Sequence, residues 1–171
     1  MQKKYYLLIL VVLLCACKQI FVDEEFTMAR TPYLGSELKI DGYYYEKTDL
    51  PRIYFFVFYS NGVLLKYSVN DINELELFFN NTPKRIKDNR LWWSPFIING
   101  NELRFEEYNN TIAGKWLVCM VYCTILNDST FRIEKGILSH TGKNAPNLEY
   151  NGEYHFRQYY PKLDSTNNVV P

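Results

Sequence analysis

Arg52-Ile53-Tyr54-Phe55-Phe56-Val57-Phe58-Tyr59-Ser60-Asn61-Gly62-Val63-Leu64-Leu65-Lys66-Tyr67-Ser68-Val69-Asn70 is the stretch on which the fold turns. Its first half is almost wholly apolar and rich in aromatic rings, which fit a pleated surface better than a helix. Asn61-Gly62 then interrupts the run, and this pair is a strong short-range hairpin signal because such turns want positive φ. Beyond it Val63, Leu65, Tyr67 and Val69 alternate with Leu64, Lys66, Ser68 and Asn70, the period of two that marks a strand. Two strands joined by a tight turn follow.

The same grammar recurs on both sides. Leu38-Lys39-Ile40-Asp41-Gly42-Tyr43-Tyr44 alternates and reads as a first strand. Residues 91–98 read as a strand whose Pro95 predicts an edge or a bulge, since proline cannot donate to a ladder. Asn99-Gly100 marks a second hairpin, and its return strand places Leu103 and Phe105 opposite Glu102, Arg104 and Glu106. Residues 116–126 form a long strand that is apolar on both faces. Asn127-Asp128 turns the chain into Phe131 and Ile133, which alternate with Arg132 and Glu134. Residues 152–157 make a last strand. Only Asp71-Ile72-Asn73-Glu74 breaks the pattern: it reads as a capping box opening a helix to about Asn80, with Ile72, Leu75 and Phe79 as the buried stripe.

About eight strands linked by tight turns, with one short helix, point to an all-β, antiparallel, eight-stranded barrel of the lipocalin-like, calycin type rather than a sandwich built from crossovers. The composition agrees, with 15 Tyr, 11 Phe and 3 Trp against only 8 Gly. The formal net charge is zero, so no nucleic-acid partner is expected.

The amino terminus carries a different message. Met1-Gln2-Lys3-Lys4 is a short positive region, and residues 5–14 run without a charge. That run is too short to span a bilayer, which takes about 20 residues, and it has the size of the apolar part of a secretory signal. Leu14-Cys15-Ala16-Cys17 follows and resembles the lipobox of bacterial lipoproteins, with Cys15 in place of the more usual Ala, Ser or Thr. The resemblance implies that residues 1–16 are a signal peptide and that Cys17 carries acyl chains such as palmitate, holding the protein to the outer membrane. Two or more such chains anchor stably. Residues 17–36 then read as a tether, 37–160 as the barrel domain and 161–171 as a loose carboxy-terminal tail.

The body resembles uncharacterised lipocalin-like lipoproteins of Bacteroidetes-type bacteria. The matching features are Gly42-Tyr43-Tyr44-Tyr45, then Tyr54-Phe55-Phe56 leading to Asn61-Gly62-Val63, then Trp93 before Asn99-Gly100-Asn101. Residues 125–133, Tyr154-His155-Phe156 and Asp164-Ser165-Thr166-Asn167 follow in order. The tail departs from the family pattern, with Leu163 where a proline is usual. The resemblance implies a fold and a location and carries over no activity. It also implies that the acidic run Asp23-Glu24-Glu25 bears on display at the cell surface rather than the periplasmic face. Asp128-Ser129-Thr130 and Asp164-Ser165-Thr166 resemble the Asp-Ser/Thr-X acceptor for O-glycosylation in such bacteria, which makes Ser129 and Ser165 candidate sites. Both motifs are equally ordinary turn chemistry.

Constellations for catalysis are weak, and no enzyme is expected. The chain has two histidines, His140 and His155, and no Gly-x-Ser-x-Gly elbow. Glu106-Glu107 has the residue types of a glycosidase pair, but neighbours on a strand point to opposite faces, which predicts one solvated and one partly buried carboxylate. Cys119 and Cys123 stand roughly 13 Å apart on a regular strand, too far for a disulfide or for one zinc ion, and read as buried free thiols. Neither a metal nor a cofactor is expected. Lys84, Arg85, Lys87 and Arg90 form a basic loop that is either solvated or suited to lipid head groups or an acidic glycan. Two partner readings stay open: a small apolar or amphipathic ligand inside the barrel, or a protein partner on the outside of a filled one.

Overall fold

The computed structural model describes residues 24–46, 52–80, 86, 89, 91–110, 116–145, 152–167 and 169–170. Residues 1–16, read above as a signal peptide, Cys17 and most of the basic loop lie outside the described residues. Eight strands run β1 (Gly42–Glu46), β2 (Ile53–Phe58), β3 (Val63–Val69), β4 (Trp93–Asn99), β5 (Glu102–Asn110), β6 (Trp116–Asn127), β7 (Thr130–Leu138) and β8 (Glu153–Gln158). One helix, α1 (Ile72–Asn80), lies between β3 and β4. Each strand pairs antiparallel with the next, and β1 pairs with β8, so the sheet closes into a barrel in sequence order.

The turns sharpen the hairpin reading. Tyr59 and Val63 are joined by a backbone bond of 3.0 Å, so the first turn holds three residues, Ser60-Asn61-Gly62, with Gly62 at φ +80°. The second hairpin closes at Asn99↔Glu102, which puts Gly100 (φ +59°) and Asn101 in the turn. The third closes at Asn127↔Thr130 around Asp128-Ser129. The three hairpin turns share one end of the barrel, here called the floor. The longer connections lie at the other end, the mouth.

Pro95 sits neither at an edge nor in a recorded bulge. β4 pairs with β3 through Trp93, Ser94 and Pro95 and with β5 from Phe96 onward. The missing N–H thus falls where one ladder hands over to the other. The bulges lie instead between β6 and β7, beside Tyr122/Cys123 and Ile125/Asn127.

Two hydrophobic cores result. Inside the barrel, Tyr44, Phe56, Phe58, Phe96, Phe105, Phe131 and Tyr154 are buried among aliphatic side chains and the thiols of Cys119 and Cys123. Outside it, Tyr43, Phe55, Val57, Val63, Leu65 and Trp93 are covered by Leu75 and Phe79 of α1 and by Val170 of the carboxy terminus. The runs that are apolar on both faces therefore have a cover on both faces. The helix is capped nearly as expected: Asn73 donates to the Asp71 carboxylate at 2.8 Å, while Glu74 accepts from the N–H of Asn70, one residue before the expected partner.

Both ends of the chain depart from the loose segments that their polar composition suggests. Glu24 accepts the Val118 N–H at 2.7 Å beside the start of β6. From there the chain runs down the outer wall, where Thr27 and Met28 donate their N–H groups to Glu106 at 2.7 and 2.8 Å. It reaches the floor at Tyr33, whose N–H binds the Ser60 carbonyl at 2.9 Å. Leu38 then plugs the floor, and β1 begins only at Gly42, four residues after the alternation starts. The tail returns over the same wall. Arg30 donates to the carbonyls of Asn167 and Val170, both at 3.0 Å, and Lys162 donates to those of Ile40 and Phe58. These segments are parts of the fold, because the outer face of β1–β4 is too apolar to stand in water.

Candidate functional site

The strand period fixes which side chains enter the barrel. On β2 these are Tyr54, Phe56 and Phe58, and on β5 they are Leu103, Phe105 and Glu107. Toward the floor the entering side chains are rings in contact. Phe58 and Phe96 meet edge to face at 5.1 Å, Phe56 and Tyr154 at 4.8 Å, and Phe131 and Tyr154 stack at 5.1 Å. Tyr44 closes this layer by donating its hydroxyl toward the carbonyls of Lys39 (2.9 Å) and Asp128 (3.0 Å). Burial pushes the Tyr44 phenol well above its ordinary value.

Toward the mouth the interior changes character. Lys66 on β3 meets Glu107 on β5 at 2.6 Å, and its ammonium lies 5.8 Å from the ring centres of both Tyr54 and Phe56. Cys119 on β6 stands in register with Glu107. Burial, reinforced by the Glu107 charge, raises the Cys119 thiol to about 12, and it raises Cys123 as well. Both cysteines are buried and free, as their spacing on the strand predicts. Thiols so held are protonated and unreactive at neutral pH.

The expectation for Glu106 and Glu107 needs correction. They do point to opposite faces, yet both are buried, at 0% and 6% exposure. Glu107 enters the barrel against Lys66. Glu106 faces outward but is covered by the amino-terminal segment, whose Thr27 hydroxyl also donates to it at 2.5 Å. Neither carboxylate is placed beside the other. His140 is exposed at the mouth, 3.2 Å from Glu24, and His155 on β8 lies 3.5 Å from the Thr130 hydroxyl. Among the described residues, no three potential metal ligands cluster.

Ser129 and Ser165 come to the same end. Ser129 sits in the β6–β7 turn, donating to Asp128 at 2.6 Å and accepting from Lys39 at 2.9 Å. The Ser129 hydroxyl, together with the Lys39 ammonium 3.0 Å from the other carboxylate oxygen, holds the Asp128 carboxyl below the usual range. Ser165 accepts from the Asn61 amide at 3.1 Å, beside the β2–β3 turn. Of the acidic run, Glu24 is engaged by the barrel and Glu25 is exposed.

The outer surface carries clefts that single-strand patterns do not reveal. One of about 420 Å³ lies at the mouth between α1 and β3, lined by Arg52, Tyr67, Ser68, Glu74, Phe78 and Trp92. Tyr67 is its centre, 4.3 Å from the Phe78 ring and 4.5 Å from Trp92. A smaller one of about 160 Å³ lies at the floor beneath Tyr33 and Phe96, next to Leu34, which is 90% exposed. The Lys66–Glu107 pair was equally hidden from the sequence, since 41 residues separate its members. The only hint was Lys66 itself, which follows Leu64 on one face of a largely apolar strand. Comparison with family models, curated proteins and solved structures finds no match to this chain.

Proposed function

We propose that this protein is an outer-membrane lipoprotein, held by acyl chains on Cys17, whose barrel is a solid scaffold that presents its outer surface to a protein partner. The observation that carries this reading is the ring-filled interior: seven aromatic side chains from Tyr44 to Tyr154 occupy the space in which a barrel of this size would hold a ligand. The exposed Leu34 and the cleft beside it at the floor offer contact area outside instead. The reading is of a binding protein rather than an enzyme, needing no cofactor. Native mass spectrometry of protein extracted from its own host tests it. The expected mass is that of the mature chain plus acyl chains, with sugar at Ser129 or Ser165 where those are modified. A small molecule that co-purifies and is lost on unfolding would overturn the solid-scaffold reading.

One observation favours a second reading. The Lys66–Glu107 pair sits directly above the ring layer, so the mouth half offers a charged group beside an apolar surface. A small amphipathic ligand, polar end on Lys66, would suit that arrangement. Lys66→Met should abolish such binding while sparing any outer-surface partner.

A further inference from the structure

Two independent features meet at the mouth end. The first is the point where the anchored segment joins the barrel. Glu24 is fixed at the start of β6 by its bond to Val118, by the Trp116 carbonyl that its own N–H reaches at 3.4 Å, and by His140. Only residues 18–23 separate it from Cys17. A stretch of that many residues can reach at most about 25 Å. The barrel itself is comparably tall. From Val118 to Asn127 on β6 is roughly 30 Å along the strand, or about 23 Å along the axis once the strand tilt is allowed for. A barrel standing on its floor would stretch the tether almost to its limit; a barrel standing on its mouth leaves it slack.

The second feature is the cleft of Arg52, Tyr67, Phe78 and Trp92, also at the mouth. It borders the start of β2 and the end of β3. In a ring of eight, β3 is three strands from β6, so the cleft and the tether mark nearly opposite sides of one rim. Tyr and Trp settle at bilayer interfaces, because one end of each ring system is apolar and the other wet. Arg52 can pair with lipid phosphate. Glu74 in the same cleft offsets its charge, which suits zwitterionic head groups.

We propose that the mouth rim docks end-on against the lipid bilayer that holds the anchor, with the Arg52–Tyr67–Phe78–Trp92 cleft in the head-group layer. This inference rests on lipidation at Cys17. The floor, with its three hairpins, Leu34, Ser129 and Ser165, then points away from the membrane and is the end available to partners and to modifying enzymes.

The test uses mature, lipidated protein in vesicles of phosphatidylethanolamine and phosphatidylglycerol. Single fluorophores are placed through Asn70→Cys and Lys143→Cys at the mouth and Asn101→Cys at the floor, all exposed, while the native thiols stay buried. Lipids carrying a head-group spin label should quench the two mouth probes severalfold more than the floor probe. Equal quenching, or a quenched floor probe, overturns the docking. Arg52→Glu combined with Trp92→Ala should lower quenching at Asn70 with vesicle flotation unchanged; undiminished quenching overturns the role of the cleft. Flotation and intact mass read the anchor separately. A chain without lipid on Cys17 overturns both proposals, whereas a floating protein with the wrong quenching pattern overturns the docking alone.

Discussion

The floor half and the mouth half of the barrel interior are built from the same strands by different means. Below, rings from six strands fill the space and are sealed by Tyr33, Leu38 and the Tyr44 hydroxyl. Above, Lys66 and Glu107 neutralise each other and the wall is completed by Tyr54, Leu117 and Cys119. A ring layer gains from burying area, at about 25 cal/mol per Å². An ion pair gains only what its attraction leaves after desolvation, and that balance is small. The comparison teaches that stability should concentrate at the floor, leaving the mouth freer to carry function.

The largest effect should follow from opening the ring layer. Phe131 contacts Tyr44, Phe56, Phe58 and Tyr154. Phe131→Ala should therefore cost about 3–5 kcal/mol, read as a lower midpoint in urea unfolding. A loss under 1 kcal/mol would mean that the floor is not the stable half.

The mouth should respond less, and in a way that only a cycle reveals. Glu107→Leu strands the Lys66 ammonium and should cost roughly 2 kcal/mol, below the 3–5 kcal/mol of a fully buried pair because Lys66 keeps some contact with water. Lys66→Met with Glu107→Leu should recover most of that loss. A double variant no more stable than the single would show that the pair is integral to the barrel rather than a replaceable plug.

Gly62 tests how tightly the floor is wrapped. Its φ of +80° strains any other residue, and a Cβ there would stand 2.2 Å from the Thr31 carbonyl oxygen. Gly62→Ala should cost about 1–2 kcal/mol. It should also speed amide exchange at Tyr33, whose N–H bonds Ser60. An unchanged Tyr33 amide would mean that the amino-terminal strap is held by Glu106 and Glu24 alone.

The smallest effect is a pH dependence. Cys119 and Cys123 ionise at about 8.5 when unfolded but are held far higher in the fold, Cys119 at about 12. Their stabilisation is complete below pH 8.5 and is lost as pH rises toward 12. Lys162 acts oppositely. Burial lowers its amine to about 8, so its contribution grows between pH 8 and the unfolded value near 10.4. Thermal unfolding should show a net loss from pH 8 to 11, steeper in Lys162→Met and shallower in Cys119→Val. A steeper loss in Cys119→Val would reverse the assignment.

The strands, the three turns, the helix and the all-β class were legible in the sequence, because each depends on local periodicity or on backbone preferences of a few adjacent residues. The burial of Cys119 and Cys123 was legible for the same reason: a regular strand sets their spacing. What only the tertiary structure decided are the partners. Glu106 is satisfied by residues 27 and 28, Lys66 by Glu107, and the Asn167 and Val170 carbonyls by Arg30, across separations of 41 to 140 residues. Polar composition made the two chain ends read as loose, and the apolar outer wall of β1–β4 is what draws them in. A strand pattern states that both its faces are apolar; only closure of the barrel determines which face becomes the interior and which needs a cover.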